Sequence, residues 1–315
     1  MTTPFASSAD RAEQHPQVVP LAPDVYGYIS PSDPNCGFVV GRDAVLAVDT
    51  TATPAAARRW LQEIREITDK PVRYVFLTHY HAVRVMGAAA FEDAVIIASE
   101  NTGSLIRERG LADFESEQAR MPRLFADGSA APVLSTPHML FKDHLTLDLG
   151  NLKVEFRHLG RGHTAGDSVC RIPQAGVVFG GDLIENHCGI YCGDAYLGDW
   201  LQTLERLRAL QPDVLVPGRG SPLRTPKDVA DTIDSHKDFL VTLLTTVRHG
   251  LSQGLDLKGC YRLADQQLTP RFGDWPVYRH VLPFDVARAF DELRSLEHPQ
   301  IWTSEKDRQL WEDLA

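Results

Sequence analysis

Three histidines and one aspartate follow apolar runs of the chain, in short segments rich in glycine and threonine. His79 and His81 stand in the segment THYH, His163 in GHTAGD and Asp182 at the end of GGD. Side chains two positions apart in an extended segment project to the same side, so His79 and His81 can reach one metal ion. Three imidazoles and one carboxylate are a ligand set that suits zinc or iron. The sequence therefore predicts a metal site built from these four residues.

Strand-like runs precede each of these segments. The run Val72–Leu77 is β-branched and aromatic, and it predicts a buried strand that ends just before His79. Shorter runs predict strands before His163 and Asp182, and another over 214–216. Because loops held by a rigid scaffold carry much of the chemistry in proteins, we expect the strand ends to form one site.

Two further segments are predicted to form structure around the site. Thr53 followed by Pro54 is typical of a helix start and predicts a helix over 55–67. The segment 112–137 is rich in proline, glycine and charge. This composition predicts an irregular lid or surface insertion near the site.

Length and composition describe a globular protein of 315 residues, of which 43% are apolar and 23% charged. The formal net charge of −10 argues against a nucleic-acid partner, because phosphate binding needs clustered basic residues. No run reaches the length of a membrane span, and the first residues contain no apolar secretion signal. Five cysteines without paired spacing argue against a disulfide framework. We therefore expect a cytoplasmic protein with reduced thiols and no membrane partner.

Taken in order, the segments resemble the metallo-β-lactamase superfamily of metallohydrolases. That family carries the patterns THxHxDHxGG, GHTxG, GD and PGHG, and an aspartate after its third strand. The counterparts here are THYHAVRVMG over 78–87, GHTAGD over 162–167, GD at 181–182, PGRG over 217–220 and Asp49. The resemblance covers roughly residues 20–225 and bears more on fold than on activity, since one fold hosts many functions.

The resemblance implies a four-layer αββα sandwich of the α/β (α+β) class, with two mixed sheets between helices. Three regions are expected: a flexible N-terminal arm over residues 1–17, the metallo-β-lactamase-fold domain over 18–225, and a helical C-terminal extension over 226–315. Two alternatives stay open for the stretch 280–284 of the extension. It either folds back over the site as a cap, or the C-terminal helices build a homodimer.

Three positions depart from the family's pattern. The family's first metal position uses three histidines, and all three are present. At its second position the family's aspartate and two histidines are replaced by Val83, Arg84 and Arg219. Valine cannot ligate a metal, and arginine stays protonated and offers no lone pair. Asp182, which bridges two metals in the family, keeps one metal neighbour, so the departures imply one divalent metal, expected to be zinc with iron as the alternative.

Arg84 and Arg219 together carry about the charge of the missing ion. Their planar guanidinium groups are suited to carboxylate, sulfate or phosphate. Our hypothesis is that both arginines hold the anionic group of a small substrate against the metal. In the alternative, they pair with Asp182 and other acids and stabilise the fold.

The activity expected from this site is hydrolysis of a small anionic ester, thioester, lactone or amide by a single metal-activated water. His79, His81 and His163 are the expected ligands. Asp182 is either a fourth ligand or the catalytic group that orients or deprotonates the water. One alternative is a mononuclear non-haem iron dioxygenase, similar to persulfide dioxygenases, that uses His79, His163 and Asp182. A second alternative is a non-catalytic family member that binds a ligand.

Overall fold

The computed structural model describes residues 14–127 and 133–314. Within these ranges the chain forms strands and helices that alternate in its first two thirds and helices alone in its last third. The strands are β1 (Gln17–Ala22), β2 (Val25–Ile29), β3 (Cys36–Val40), β4 (Val45–Val48), β5 (Val72–Phe76), β6 (Val95–Ser99), β7 (Met139–Phe141), β8 (His144–Asp148), β9 (Lys153–His158), β10 (Ser168–Ile172), β11 (Val177–Gly181) and β12 (Val214–Pro217). The helices are α1 (Pro54–Ile67), α2 (Ala82–Val85), α3 (Glu100–Arg120), α4 (Leu197–Arg208), α5 (Pro226–Ser252), α6 (Leu257–Phe272), α7 (Tyr278–Leu293) and α8 (Ser304–Leu314).

Two mixed sheets form the centre of the protein. One sheet has the order β1-β2-β3-β4-β5-β6-β7, in which β1 to β4 are antiparallel and β4 to β7 are parallel. The other sheet has the order β12-β11-β10-β9-β8, with β11 and β12 parallel and the remaining pairs antiparallel. The short connections of the antiparallel strands need only turns, whereas each parallel pair needs a longer crossover.

Three apolar cores separate four layers. The middle core lies between the sheets and contains Phe76 of β5 stacked on Phe156 of β9, with ring centroids 4.4 Å apart. A second core packs the other face of the seven-stranded sheet against α1 and α3, around the buried Trp60. A third packs the five-stranded sheet against α4 to α7, around Trp200. The predicted four-layer αββα sandwich is therefore confirmed.

The local sequence of helix α1 determines where the helix begins and which face it buries. The Thr53 hydroxyl accepts a hydrogen bond from the Ala56 backbone N–H at 3.1 Å, and Pro54 occupies the first turn. This cap fixes the helix start, because the first N–H groups of a helix have no partner within it. Trp60 and Ile64, four residues apart, then lie on the same buried face.

Helix α3 differs from the expectation. The prediction of irregular structure over 112–137 is wrong for residues 112–120, since α3 continues to Arg120. The buried face of α3 carries charged side chains, among them Asp113, Glu117 and Arg120, instead of an apolar stripe. A periodic apolar pattern is the main sequence signal for a helix, and it is absent here.

The last four helices lie against the outer face of the five-stranded sheet and against α3. Helices α5, α6 and α7 contribute most of the buried apolar side chains of the third core. Leu310 of α8 and Trp302, which precedes that helix, pack against Phe284 of α7. Residues 1–13 of the expected N-terminal arm lie outside the described residues, and β1 already begins at Gln17. Among the described helices, none combines the length and apolar character that crossing a bilayer requires.

Candidate metal centre

The three histidines meet at the carboxyl ends of the strands. His79 and His81 follow β5, and His163 lies in the loop between β9 and β10. One ring nitrogen of each histidine lies within 4.8 Å of the corresponding nitrogens of the other two. His163 Nε2 lies 2.9 Å from His81 Nδ1, and all three rings are buried. This spacing lets one ion contact all three imidazoles.

The outer nitrogen of each ring is held by a separate acceptor or donor. His79 Nδ1 lies 3.0 Å from the Thr78 hydroxyl, and His81 Nε2 lies 3.3 Å from Asp194 Oδ2. His163 Nδ1 lies 2.9 Å from the Tyr191 carbonyl oxygen. Such partners fix the orientation of a metal-binding imidazole and raise its basicity. The inner nitrogens, Nε2 of His79, Nδ1 of His81 and Nε2 of His163, are thereby left facing one another.

A metal ion fits this arrangement. His79 Nε2 is buried and has no hydrogen-bond partner among the described residues. A buried polar atom without a partner is costly, and an ion at the centre of the three rings would satisfy it. Three imidazoles are also a donor set that zinc and iron accept.

The pKa values of the histidines differ. Burial, followed by the charge of His81, lowers the pKa of His163 to about 3, and burial lowers the pKa of His79 well below its usual value. Both rings are therefore neutral at pH 7 and keep a lone pair. Burial acts in the same direction on His81, but Asp113 and Asp194 raise its pKa to about 9. A metal bound here must displace the proton of His81, because ligands bind in their deprotonated form.

Asp182 lies beside the triad, directly after β11. Its Oδ2 is 3.7 Å from Nε2 of His79 and 3.7 Å from Nε2 of His163. Burial alone would raise the pKa of Asp182, but Arg84, His79 and Arg219 together hold it well below the usual range. The carboxylate is therefore ionised and faces the point where the histidines meet. Gly218 permits this packing, since a Cβ there would collide with Asp182 Oδ1.

Arg84 lies wholly inside the protein. Its guanidinium forms an ion pair with Asp182 and donates to the backbone carbonyls of Asn35 and, at 2.8 Å, Gly218. Asp49 Oδ2 lies 3.7 Å from the same guanidinium. Arg84 has no exposed surface. These contacts match the alternative in which Arg84 pairs with acids, and contact between Arg84 and a substrate stays a prediction.

Arg219 follows β12 and reaches the same carboxylate from the other side. Its Nη1 lies 3.2 Å from Asp182 Oδ2 and 3.2 Å from Glu185 Oε1. Burial, and then the charge of Asp182, raises the pKa of Glu185. Arg219 thus contacts two buried carboxyl groups, and contact between Arg219 and a substrate anion stays a prediction.

A small cavity, which we call the inner cavity, adjoins the triad. It has a volume of about 20 Å³. Its polar wall includes His81, His163, Asp182 and Arg219. Its apolar wall includes Val83, Met121, Tyr191, Val277 and Val281. His280 and Val281 of α7 thus lie over the site, as the cap alternative predicts, whereas a homodimer through the C-terminal helices stays a prediction.

Several residues that support the site were missed by sequence reasoning. Asp194, whose Oδ2 lies 3.3 Å from His81 Nε2, was not among the predicted site residues. Asp113 Oδ2 accepts from the Ala82 N–H at 2.6 Å, and Glu117 Oε2 accepts from the Val83 N–H at 2.9 Å. These two carboxylates satisfy the first N–H groups of α2 and so fix the loop that carries the histidine pair. The only available signal was the four-residue spacing of two acids on one helix face.

The family model described as the metallo-beta-lactamase superfamily matches residues 29–219. The chain belongs to the metallo-beta-lactamase superfamily. Among curated relatives, it is 23% identical over 249 residues to the linear primary-alkylsulfatase of Pseudomonas sp. (strain ATCC 19151), covering 68% of this chain and 46% of that protein. It is 25% identical over 201 residues to the type 2 metallo-beta-lactamase of Bacillus cereus, covering 62% of this chain and 70% of that one.

Solved structures of this superfamily share the fold. A metallo-beta-lactamase from Pontibacter korlensis matches with a TM-score of 0.57 and 21% identity, over 70% of this chain and 98% of that chain. The inverting sec-alkylsulfatase Pisa1 from Pseudomonas sp. matches with a TM-score of 0.70 and 15% identity, over 88% of this chain and 50% of that chain. This metallo-beta-lactamase superfamily protein therefore spans about half the length of the alkylsulfatases it matches. The relatives are hydrolases by name, and the His triad has the geometry to hold a metal.

Proposed function

We propose that this protein is a metallohydrolase that uses one divalent metal, zinc, to cleave a small anionic ester, thioester, lactone or amide. The observation that carries the proposal is the convergence of three imidazole nitrogens whose outer nitrogens are each held in place. When bound by His79, His81 and His163, a divalent metal supplies Lewis acidity and lowers the pKa of water to about 7.

A single metal is proposed because the second position of the family is filled by other groups. Val83 offers no ligand atom, and the guanidinium groups of Arg84 and Arg219 flank Asp182. These two fixed positive charges contact the carboxylate that would otherwise face a second cation. Mechanisms that clamp a phosphodiester between two ions are disfavoured for this reason.

Asp182 is proposed to orient the attacking water. Its low pKa keeps the carboxylate ionised, so it accepts a hydrogen bond from the water and directs the oxygen lone pair towards the substrate. The same low pKa makes it a weak base, so positioning contributes more than proton storage. Arg219, in the wall of the inner cavity, holds the substrate's anionic group through a charge-assisted hydrogen bond.

Metal analysis tests the first part of this proposal. Protein purified without added metal is expected to contain about one equivalent of zinc per chain, as the single three-histidine site predicts. Iron in place of zinc would favour the dioxygenase alternative. Absence of any metal after incubation with zinc and ferrous salts would contradict both and favour the ligand-binding alternative.

A paired substrate panel tests the second part. Each anionic ester, thioester, lactone or amide is assayed beside a neutral analogue, and alkyl sulfate esters are included because two relatives are named alkylsulfatases. Arg219→Ala is expected to raise KM for the anionic member of a pair by about tenfold or more and to leave the neutral member unchanged. An equal loss for both members would mean that Arg219 does not bind the anion.

A further inference from the structure

Three cavities follow one another from the triad towards the surface. The inner cavity shares Met121, Arg219 and Val277 with a second cavity, also of about 20 Å³, which we call the throat. The throat shares Arg123 and Leu124, among others, with an outer cavity of about 690 Å³. Shared wall residues place the throat beside both of the other cavities, and the inner and outer cavities also share Val83.

The volumes set a limit on what each space can hold. About 20 Å³ is room for little more than one ordered water molecule, whereas sites for small organic ligands measure about 300–1,000 Å³. The outer cavity falls within that range and reaches solvent, because Arg59, Glu63 and Asp127 in its wall are exposed. A substrate that reacts at the triad must therefore leave most of its atoms outside the inner cavity.

The charged residues differ between the throat and the outer cavity. Arg219 lines both the inner cavity and the throat. In the outer cavity, Arg59 pairs with Asp127 at 2.6 Å, and Arg123 Nη1 donates to Asp33 Oδ2 at 2.8 Å. Because Glu63 also lines the outer cavity, its acids outnumber its arginines and it does not attract an anion. The outer cavity therefore suits the uncharged part of a molecule, whereas Arg219 suits its anionic end.

Val277 is an apolar residue in the wall through which the charged end of a substrate would have to pass. It lines the inner cavity and the throat, and its backbone adopts a left-handed conformation with φ of 58°. A β-branched residue rarely adopts that conformation, and such strain persists only where the surroundings impose it. Here the preceding residue is held by a hydrogen bond from the Gly189 N–H to the Pro276 carbonyl at 2.8 Å. A Cβ on Gly189 would lie 2.7 Å from the backbone of Tyr278, so no side chain other than hydrogen fits under this turn.

We propose that Arg219 and Val277 make the throat selective. The anionic end of the substrate passes between them to the triad, and the rest of the substrate stays in the outer cavity. Val277 sets the width of the group that passes. The proposal rests on the proposed function for the reaction at the triad. It adds the substrate class, namely an organic anion that is narrow next to its charge and carries a bulkier uncharged part further away.

Binding of anions that cannot be hydrolysed tests the throat independently of any reaction. Hexane-1-sulfonate is narrow beside its charge, and naphthalene-2-sulfonate carries a fused ring there. Isothermal titration calorimetry on the full chain is expected to show tighter binding of the narrow probe. Val277→Gly and Val277→Ala are expected to tighten the wide probe by about tenfold, while the narrow probe stays nearly unchanged.

Two comparisons separate width from backbone strain. Val277→Gly should unfold at a higher temperature than Val277→Ala, since only glycine relieves the left-handed conformation. Gln211→Gly is the matched control, because Gln211 also has a positive φ of 47° and lies outside the three cavities. It should leave the ratio of the two affinities unchanged.

The outcomes are distinct. If the ratio of the affinities for the wide and the narrow probe is unchanged in both Val277 variants, Val277 does not set the width of the group that passes. Arg219→Gln should weaken both probes by the same factor, and unchanged binding in that variant overturns the route itself. Because neither probe reacts, a protein that hydrolyses nothing in the substrate panel would refute the proposed function and leave these binding results standing.

Discussion

Replacing Arg84 by methionine tests whether this guanidinium stabilises the fold. Arg84 has no exposed surface and contacts two carboxylates, those of Asp182 and Asp49, as well as the backbone carbonyl of Gly218. Methionine is similar in length and removes the charge. Removing one partner of a buried ion pair leaves the other uncompensated, which costs about 3–5 kcal/mol. For a chain of 315 residues, where 1 kcal/mol shifts the unfolding temperature by about 1.5 °C, that temperature should fall by roughly 4 to 8 °C.

The stability lost in Arg84→Met should depend on pH. Burial raises the pKa of Asp49 to about 6, although Arg84 acts to lower it, and Arg84 is the main group that lowers the pKa of Asp182. Without Arg84, both carboxyl groups have higher pKa values in the folded state than before. A raised folded-state pKa gives stability at low pH that is lost as the pH rises through it. The stability difference between the variant and the wild type should therefore be larger at pH 8 than at pH 5.

Urea unfolding followed by circular dichroism, in chelator at both pH values, measures this difference without a contribution from bound metal. Arg84→Lys keeps the charge but loses the planar fork, so it should lie between the wild type and Arg84→Met. Arg58→Met is the control for an exposed arginine on α1 and should change the unfolding free energy by less than about 0.5 kcal/mol. If Arg84→Met behaves like this control, the buried charge network does not stabilise the protein.

Three further substitutions test other parts of the fold. His236 is buried, neither ring nitrogen has a hydrogen-bond partner among the described residues, and burial lowers its pKa to about 3. The wild type therefore loses stability as the pH falls below the unfolded-state pKa of about 6.5. Urea unfolding should show that His236→Phe avoids a loss of about 2 kcal/mol between pH 7 and pH 5. Burial raises the pKa of Asp285, so ionisation of this buried carboxyl group destabilises the fold as the pH rises. Asp285→Asn should therefore raise the melting temperature more at pH 8 than at pH 5. Gly189→Ala should destabilise by about 1–3 kcal/mol because its Cβ would press on the backbone of Tyr278, and an unchanged melting temperature would refute that contact.

The positions of the chemical residues were predictable because each follows a strand. Strand β5 leads into Thr78 and His79, and β11 leads into Asp182. Apolar β-branched runs identify such strands without tertiary information. The αββα layers followed from the motif order, which a single sequence retains even where individual ligands have been replaced.

The support of the site was not predictable in the same way. Asp113 and Glu117 lie on a helix whose buried face is charged, so its periodicity resembled that of a loop. Their partners are backbone N–H groups more than thirty positions away. Likewise, nothing in the residue type distinguishes Arg84, which is enclosed, from Arg219, which lines the inner cavity. Only tertiary contacts place one guanidinium wholly in the interior and the other in the wall of the inner cavity.

In the proposed single-metal site, two guanidinium groups take the place of a second metal ion. A chelator removes a divalent ion, but it cannot remove Arg84 or Arg219, and both stay charged at any ordinary pH. Under the proposed function, binding of the anion by Arg219 and activation of the water by the metal become separable. The metal-free protein should then retain part of its affinity for a substrate anion while losing hydrolysis altogether. In a site with two metals, the same treatment would remove both at once, because the second ion would itself hold the anion.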